Sequence, residues 1–276
     1  MSPVQSNEED LTRKQRREQA RAQRKELEDA EAARAVRRTR LTQLGIVVAV
    51  VVVAIVVVLI ATGGGKSSAP VKANTPKATE TVKSVSSLLG GIPQNGIVLG
   101  NPNAPVTLQY FADLECPICK DFTLGALPPL IQHWVRGGQL KIEYRSLETA
   151  TREPEVFRSQ QIAALAAGKQ NQLWPFVELF YHEQGEEGSG YVTEQYLQNL
   201  AQQVPGLNLT AWTAARGDPA LASQITTDAQ QASAQGFTGT PAFLIGKTGG
   251  SAQKLEYSSL ANPASFNTAI EKLLKA

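Results

Sequence analysis

Phe111-Ala112-Asp113-Leu114-Glu115-Cys116-Pro117-Ile118-Cys119-Lys120-Asp121-Phe122 is the stretch on which the fold turns. It holds the 2 cysteines of a 276-residue chain, three positions apart. An apolar run, Pro105–Ala112 (PVTLQYFA), leads into it and reads as a central strand. The stretch from Pro117 to Val135 reads as a helix, kinked at Pro128-Pro129. Pro117 suits the first helical position, which makes Cys116 the N-cap. Its sulfur then faces the unpaired N–H groups of the first turn, and these favour thiolate over thiol. The helix dipole alone contributes only about 0.3–1 kcal/mol, less than one pKa unit, so hydrogen bonds to the sulfur must supply most of any shift. Glu115 opposes the effect and Lys120 slightly aids it; both are expected at the surface, where neither dominates. Cys119 lies one turn later on the same face, further inside. Cys116 is therefore the expected attacking and attacked sulfur and Cys119 the resolving thiol, with Pro117 and Ile118 as the active-site context.

Other uses of a cysteine pair fit less well. An exported domain that relied on structural disulfides would carry several, widely spaced. A C-x-x-C bridge closes so short a loop that it stabilises little. The pair plus His133 and His182 does not have zinc-ligand spacing, so no metal and no cofactor is expected.

Further out, Gln139–Arg145 (QLKIEYR) alternates, with Leu140, Ile142 and Tyr144 on one face, as a half-buried strand does. Residues 154–235 have helical periodicity, broken near 185–190 and 205–208. Ala242–Gly246 and Lys254–Ser258 read as a strand pair across a Gly-Gly turn. Asn262-Pro263 opens a last helix, with Phe266, Ile270 and Leu274 on one face. The order is strand, helix, strand, helical block, strand, strand, helix, an α/β arrangement over residues 96–276 with a helical insertion at about 154–235. Residues 63–95, rich in Gly, Ser, Thr, Pro and Lys, read as a flexible linker.

Leu44–Ala61 (LGIVVAVVVVAIVVVLIA) carries no charge over 18 residues, just enough helix to cross about 30 Å of hydrocarbon. We assign a single transmembrane helix to 44–62, a signal-anchor, after a charged cytoplasmic segment 1–43. Arg34, Arg37, Arg38 and Arg40 crowd the N-terminal flank, so the positive-inside rule puts the N-terminus in the cytoplasm and 63–276 outside the cell membrane. A cleaved signal peptide would have a shorter charged start and a shorter apolar stretch. A buried core segment would need apolar cover that is not nearby. The chain carries +2 overall, +3 before the apolar run and −1 after it. That near-neutral body lacks the dense basic face nucleic acid requires.

With Gly239-Thr240-Pro241-Ala242-Phe243 opening a strand far downstream, the CPIC stretch resembles the thioredoxin superfamily, and in it the DsbA-like thiol–disulfide oxidoreductases. The resemblance implies a thioredoxin-like fold with an inserted helical domain, including Leu173-Trp174-Pro175-Phe176, whose aromatics are expected in the core. It also implies a cis peptide before Pro241, facing the cysteines, with Thr240 and Pro241 binding substrate backbone. Many relatives have His where this chain has Ile118, and some a buried carboxylate where it has Tyr110. Both departures weaken the expectation of an extremely oxidising pair.

The expected function is donation of disulfides to exported proteins by a membrane-anchored enzyme. Its partners are unfolded or reduced exported proteins and, as the resemblance implies, a membrane quinone-linked protein that reoxidises it. The alternatives are a reductase or isomerase of the same fold, or a peptide-binding or chaperone module without redox turnover.

Overall fold

The computed structural model describes residues 76–276. The charged segment 1–43, the apolar run 44–62 and the first part of the expected linker lie outside the described residues. Among the described residues no helix is long and apolar enough to cross a membrane.

The linker expectation needs correcting from Pro76 onward, because Pro76–Leu89 is a helix, α1. Ala78, Val85 and Leu89 are buried, as is Ile92 just beyond, and Val82 packs against the same core. These residues recur every third or fourth position and form one apolar face. They are spaced out among Lys, Thr and Ser, so composition hides a period that geometry uses. The Arg136 guanidinium closes the end of α1, donating to the carbonyls of Leu88 (2.8 Å) and Gly90 (2.9 Å). A short hairpin follows, β1 (Gln94–Asn95) and β2 (Val98–Leu99), its turn opened by Gly96 at φ 59°.

Strand β3 spans Val106–Ala112 and α2 spans Pro117–Leu124. The expected long helix stops there, and the break falls at Gly125 rather than at the prolines. A side chain on Gly125 would lie 2.9 Å from the backbone of Leu260 and Ala261, and Ala126 N–H bonds the Leu260 carbonyl at 2.9 Å. The chain passes too close to that loop to stay helical. Pro128 and Pro129 fall at the start of the next segment, α3 (Leu127–Leu130), where missing N–H groups cost nothing. It continues into a π-helical turn, Ile131–Val135.

Strand β4 is Leu140–Ser146, with Leu140, Ile142 and Tyr144 buried. Five helices then fill the expected insertion: α4 (Pro154–Gly168), α5 (Leu173–His182), α6 (Glu194–Gln203), α7 (Leu209–Ala215) and α8 (Pro219–Ala234). Thr193, Asn208 and Asp218 cap α6, α7 and α8, each accepting a first-turn N–H at 2.9–3.1 Å. Strand β5 is Ala242–Lys247, and β6 is only Gln253–Lys254, shorter and earlier than expected. Helix α9 is Ala264–Lys275, with Asn262 Oδ1 accepting the Ala264 N–H at 2.9 Å.

The strands form one sheet in the order β1-β2-β4-β3-β5-β6. Central β3 runs parallel to β4 and antiparallel to β5. On one face, Tyr110, Tyr144 and Phe243 pack with Phe122, Trp174, Tyr181 and Phe266 in the main core. On the other, Phe111, Leu147, Ala242 and Leu244 meet Ala232 of α8. The last turn of β3 is therefore covered on both sides, and the cysteines follow directly from it.

Candidate active site

Cys116 is the N-cap of α2, with extended backbone (φ −70°, ψ 117°), and its Sγ accepts the Cys119 N–H at 3.4 Å. Both cysteines are free thiols. Cys116 is 5% exposed and Cys119 fully buried, so the reacting sulfur is nearly covered while Pro117 and Ile118 beside it stand in solvent. The Thr240–Pro241 peptide is cis. It faces the pair: the Cys116 thiol donates to the Thr240 carbonyl at 3.4 Å. Residues 124 positions apart thus form one side and the other of the same cleft.

The two sulfurs are driven apart electrostatically. A hydrogen bond from the Cys119 thiol, followed by contributions from the Thr240 side chain and from the Cys119 and Ile118 N–H groups, lowers the Cys116 thiol to about 6 against the cost of burial. Burial first, then the bond it gives and its closeness to Cys116, pushes Cys119 well above the ordinary thiol range. Beneath Cys119, the buried Tyr110 hydroxyl donates to its carbonyl (3.2 Å) and meets Thr123 (3.1 Å) and Tyr181 (3.4 Å). Burial pushes the Tyr110 hydroxyl far up, so it supports the helix start and is no base near neutral pH.

Glu115 departs from expectation. It is 2% exposed rather than at the surface. Burial raises its carboxyl, and the Gly188 N–H partly offsets this. Lys120 is half-buried. His133 packs edge-on against Trp134, and His182 lies near Lys120; among the described residues no group of three metal-ligating side chains forms. The Leu173-Trp174-Pro175-Phe176 stretch is buried, with Trp174 Nε1 donating to the Ile97 carbonyl at 3.1 Å.

Several supporting residues escaped the sequence reading. Gln184 Nε2, just past α5, donates to the carbonyls of Leu114 (2.8 Å) and Cys116 (3.1 Å), and the Tyr181 hydroxyl to that of Asp113 (3.0 Å). Tyr257 donates to the Pro241 carbonyl at 3.2 Å. Asp113 is fully buried and gathers donors from both sides of the cleft. Its bond to the Glu115 N–H two residues on (3.1 Å) is an Asx turn, a local signal legible in the quoted stretch. The others act across 16 to 70 residues and leave no local trace.

This geometry can be set beside known proteins. Residues 93–262 match the family model described as Thioredoxin, more than half of the chain. The probable disulfide bond formation protein D of Bacillus anthracis is 23% identical over 186 residues, covering 64% of this chain and 77% of that protein. The oxidised BdbD structure from Bacillus subtilis superposes with a TM-score of 0.56 at 22% identity, over 67% of this chain and 98% of that one. Wolbachia pipientis alpha-DsbA1 gives 0.54 at 19% identity, over 68% and 92%. At these identities the two structures speak to the fold alone. With a CPIC pair on a strand-to-helix junction, a cis-proline opposite and a five-helix insertion, the chain belongs to the thioredoxin family.

Proposed function

We propose that this thiol–disulfide oxidoreductase is a disulfide donor, passing the Cys116–Cys119 disulfide to exported proteins. The observation that carries this reading is the placement of the sulfurs, Cys116 at the helix cap accepting the Cys119 N–H at 3.4 Å and Cys119 fully buried, which lowers Cys116 to about 6 and keeps Cys119 protonated. A substrate thiolate, its backbone against Thr240 and Pro241, attacks Cys116 Sγ. The intramolecular S–S bond breaks, and Cys119 leaves and takes up a proton in its buried site. A second substrate thiolate attacks the substrate sulfur of the mixed disulfide and expels Cys116 as a thiolate. The substrate has lost two electrons and the enzyme has gained them. A low thiol pKa makes Cys116 a good leaving group and stabilises the reduced enzyme, so its disulfide is correspondingly oxidising. The name of the Bacillus anthracis relative points the same way.

Thioredoxin, with a thiol near ~7, poises at about −270 mV, and DsbA, near ~3.5, at about −120 mV. Cys116 lies between, which supports a moderate oxidant. Equilibration of the full chain with glutathione should give a potential between those two values. A value at or below about −270 mV would overturn the donor reading in favour of a reductase. Oxidation of a reduced, unfolded substrate should vanish in Cys116→Ser; equal behaviour of variant and wild type would leave only peptide binding.

The arginine-flanked run 44–62 supports an anchor with the domain outside the membrane. A membrane-impermeant maleimide should then label reduced Cys116 in intact cells, and labelling only after lysis would refute that placement. Reoxidation by a quinone-linked membrane protein completes the cycle. It requires that membranes stripped of quinone fail to reoxidise the enzyme.

A further inference from the structure

Asp113 gathers an unusual number of donors for a buried carboxylate. Its Oδ2 accepts three consecutive backbone N–H groups, from Thr149 (3.0 Å), Ala150 (2.9 Å) and Thr151 (2.9 Å). Its Oδ1 takes the Thr151 hydroxyl (2.6 Å), the Glu115 N–H (3.1 Å) and Gln160 Nε2 (3.4 Å). Successive N–H groups around one anion form a nest that fixes the loop presenting them. One carboxylate therefore sets both the residue before Cys116 and the loop after β4.

That loop reaches the opposite wall of the cleft. The Thr149 and Thr240 hydroxyls lie 2.5 Å apart, and Thr240 is the residue whose carbonyl stands 3.4 Å from Cys116 Sγ. We infer that Thr149 is a positioning residue for thiol–disulfide exchange: locked by Asp113, its hydroxyl orients that of Thr240 toward the reacting sulfur. The inference rests on the oxidoreductase reading above and concerns the same site.

Proton counting gives the direction. A hydroxyl has one proton to donate. When Cys116 is a thiolate, the Thr240 proton goes to sulfur, and only the Thr149 proton is left to bridge the two oxygens. On this inference the thiolate state runs Thr149 O–H to Thr240 Oγ1 and Thr240 O–H to Cys116 Sγ, replacing the bond that the thiol gives to the Thr240 carbonyl. When the sulfurs are joined no thiolate needs a donor, and the Thr240 proton is free to turn back to Thr149. The Thr240 side chain is among the groups that draw down both sulfurs, which fits a donor aimed between them. The ionisable groups around the pair, Asp113, Glu115, Tyr110, Tyr144, Tyr181 and Tyr257, stay in place when one threonine is exchanged, and Asp113 keeps its bond to the backbone N–H of residue 149.

Thr149→Val keeps the shape and β-branching and removes the hydroxyl, whereas Thr149→Ser keeps the hydroxyl and removes the methyl. The readout is the Cys116 titration followed by thiolate absorbance in the full-length reduced protein, together with the glutathione equilibrium constant. Thr149 is exposed, so water competes and the effect is modest. Valine should lower the thiolate formation constant about three- to tenfold and make the potential more negative, by up to about 30 mV for tenfold. Serine should restore both. A valine variant titrating like wild type, or serine and valine shifting alike, would overturn the inference. The titration reads out even if the protein turned over no substrate, so a failed oxidoreductase reading is told apart from a failed positioning role.

Discussion

Cys116 and Cys119 are chemically identical and one helical turn apart, yet their surroundings push them in opposite directions. The difference comes from which one sits at the cap. Cys116, at the cap, accepts N–H and S–H bonds, whereas Cys119 lies inside, keeps its proton and donates a hydrogen bond to its neighbour. The largest contribution to the lowered Cys116 thiol is that S–H bond. A hydrogen bond to a charged group is worth about 1.5–3 kcal/mol, and one pKa unit about 1.36 kcal/mol. Cys119→Ala should therefore raise the midpoint of Cys116 alkylation by about one to two pH units, while Cys119→Ser, which keeps a donor, should raise it far less. Equal midpoints in both variants would show that backbone N–H groups hold the thiolate unaided. The sign for stability follows. The folded thiol titrates below its unfolded value of ~8.5, so the reduced protein gains stability as pH rises above about 6 and loses it as pH falls through that value. At this scale the sequence was legible wherever cause and effect were neighbours: Pro117 at the first helical position places Cys116 at the cap. Thr149 and Gln184 were not legible, because their partners lie 91 and 68–70 residues away.

Among the elements, the same contrast separates periodicity from composition. Strand β4 alternates in apolar and polar residues and was read within a residue of its observed bounds. Helix α1 was lost because threonine, serine and lysine dominate its composition, although its apolar positions keep a helical period. The break at Gly125 depends on the approach of the 260–261 loop, which no local pattern around Gly125 contains. Strand β6 shrank to two residues because Gly249 and Gly250 form a tight turn whose far arm leaves the sheet early. Helix α1 offers the sharpest test, since a spacer and a packed helix respond differently to one change. Leu89 is 4% exposed and belongs to the main core. Leu89→Ala should cost about 2–5 kcal/mol in denaturant unfolding. A substitution in an unstructured spacer would cost less than about 0.5 kcal/mol. A loss that small would mean that α1 does not hold its place in solution.

For the molecule as a whole, the contact between α1 and α5 bears on stability because it lies beside a buried carboxyl group. Glu178 of α5 is 1% exposed, and its Oε1 has no hydrogen-bond partner among the described residues. It borders a cavity of about 390 Å³ that Ser84 of α1, Gln132 and His182 also line. Burial alone raises its carboxyl to about 8. The unfolded chain releases this proton near ~4.3, so the folded state binds more protons between those values, and stability falls as pH rises from about 4.3 to about 8. By about pH 7 the cost is roughly 3–4 kcal/mol, because pH 7 lies ~2.7 units above the unfolded midpoint at ~1.36 kcal/mol per unit. Glu183, raised by burial to about 7 and only half-buried, adds a smaller loss of the same sign. Glu178→Gln removes the titration while keeping the shape. Its unfolding free energy should match wild type near pH 4 and exceed it by about 3–4 kcal/mol near pH 7. A constant difference across that range would mean that Glu178 finds a partner in solution and stays ionised, and that the α1–α5 contact is more hydrated than its burial implies.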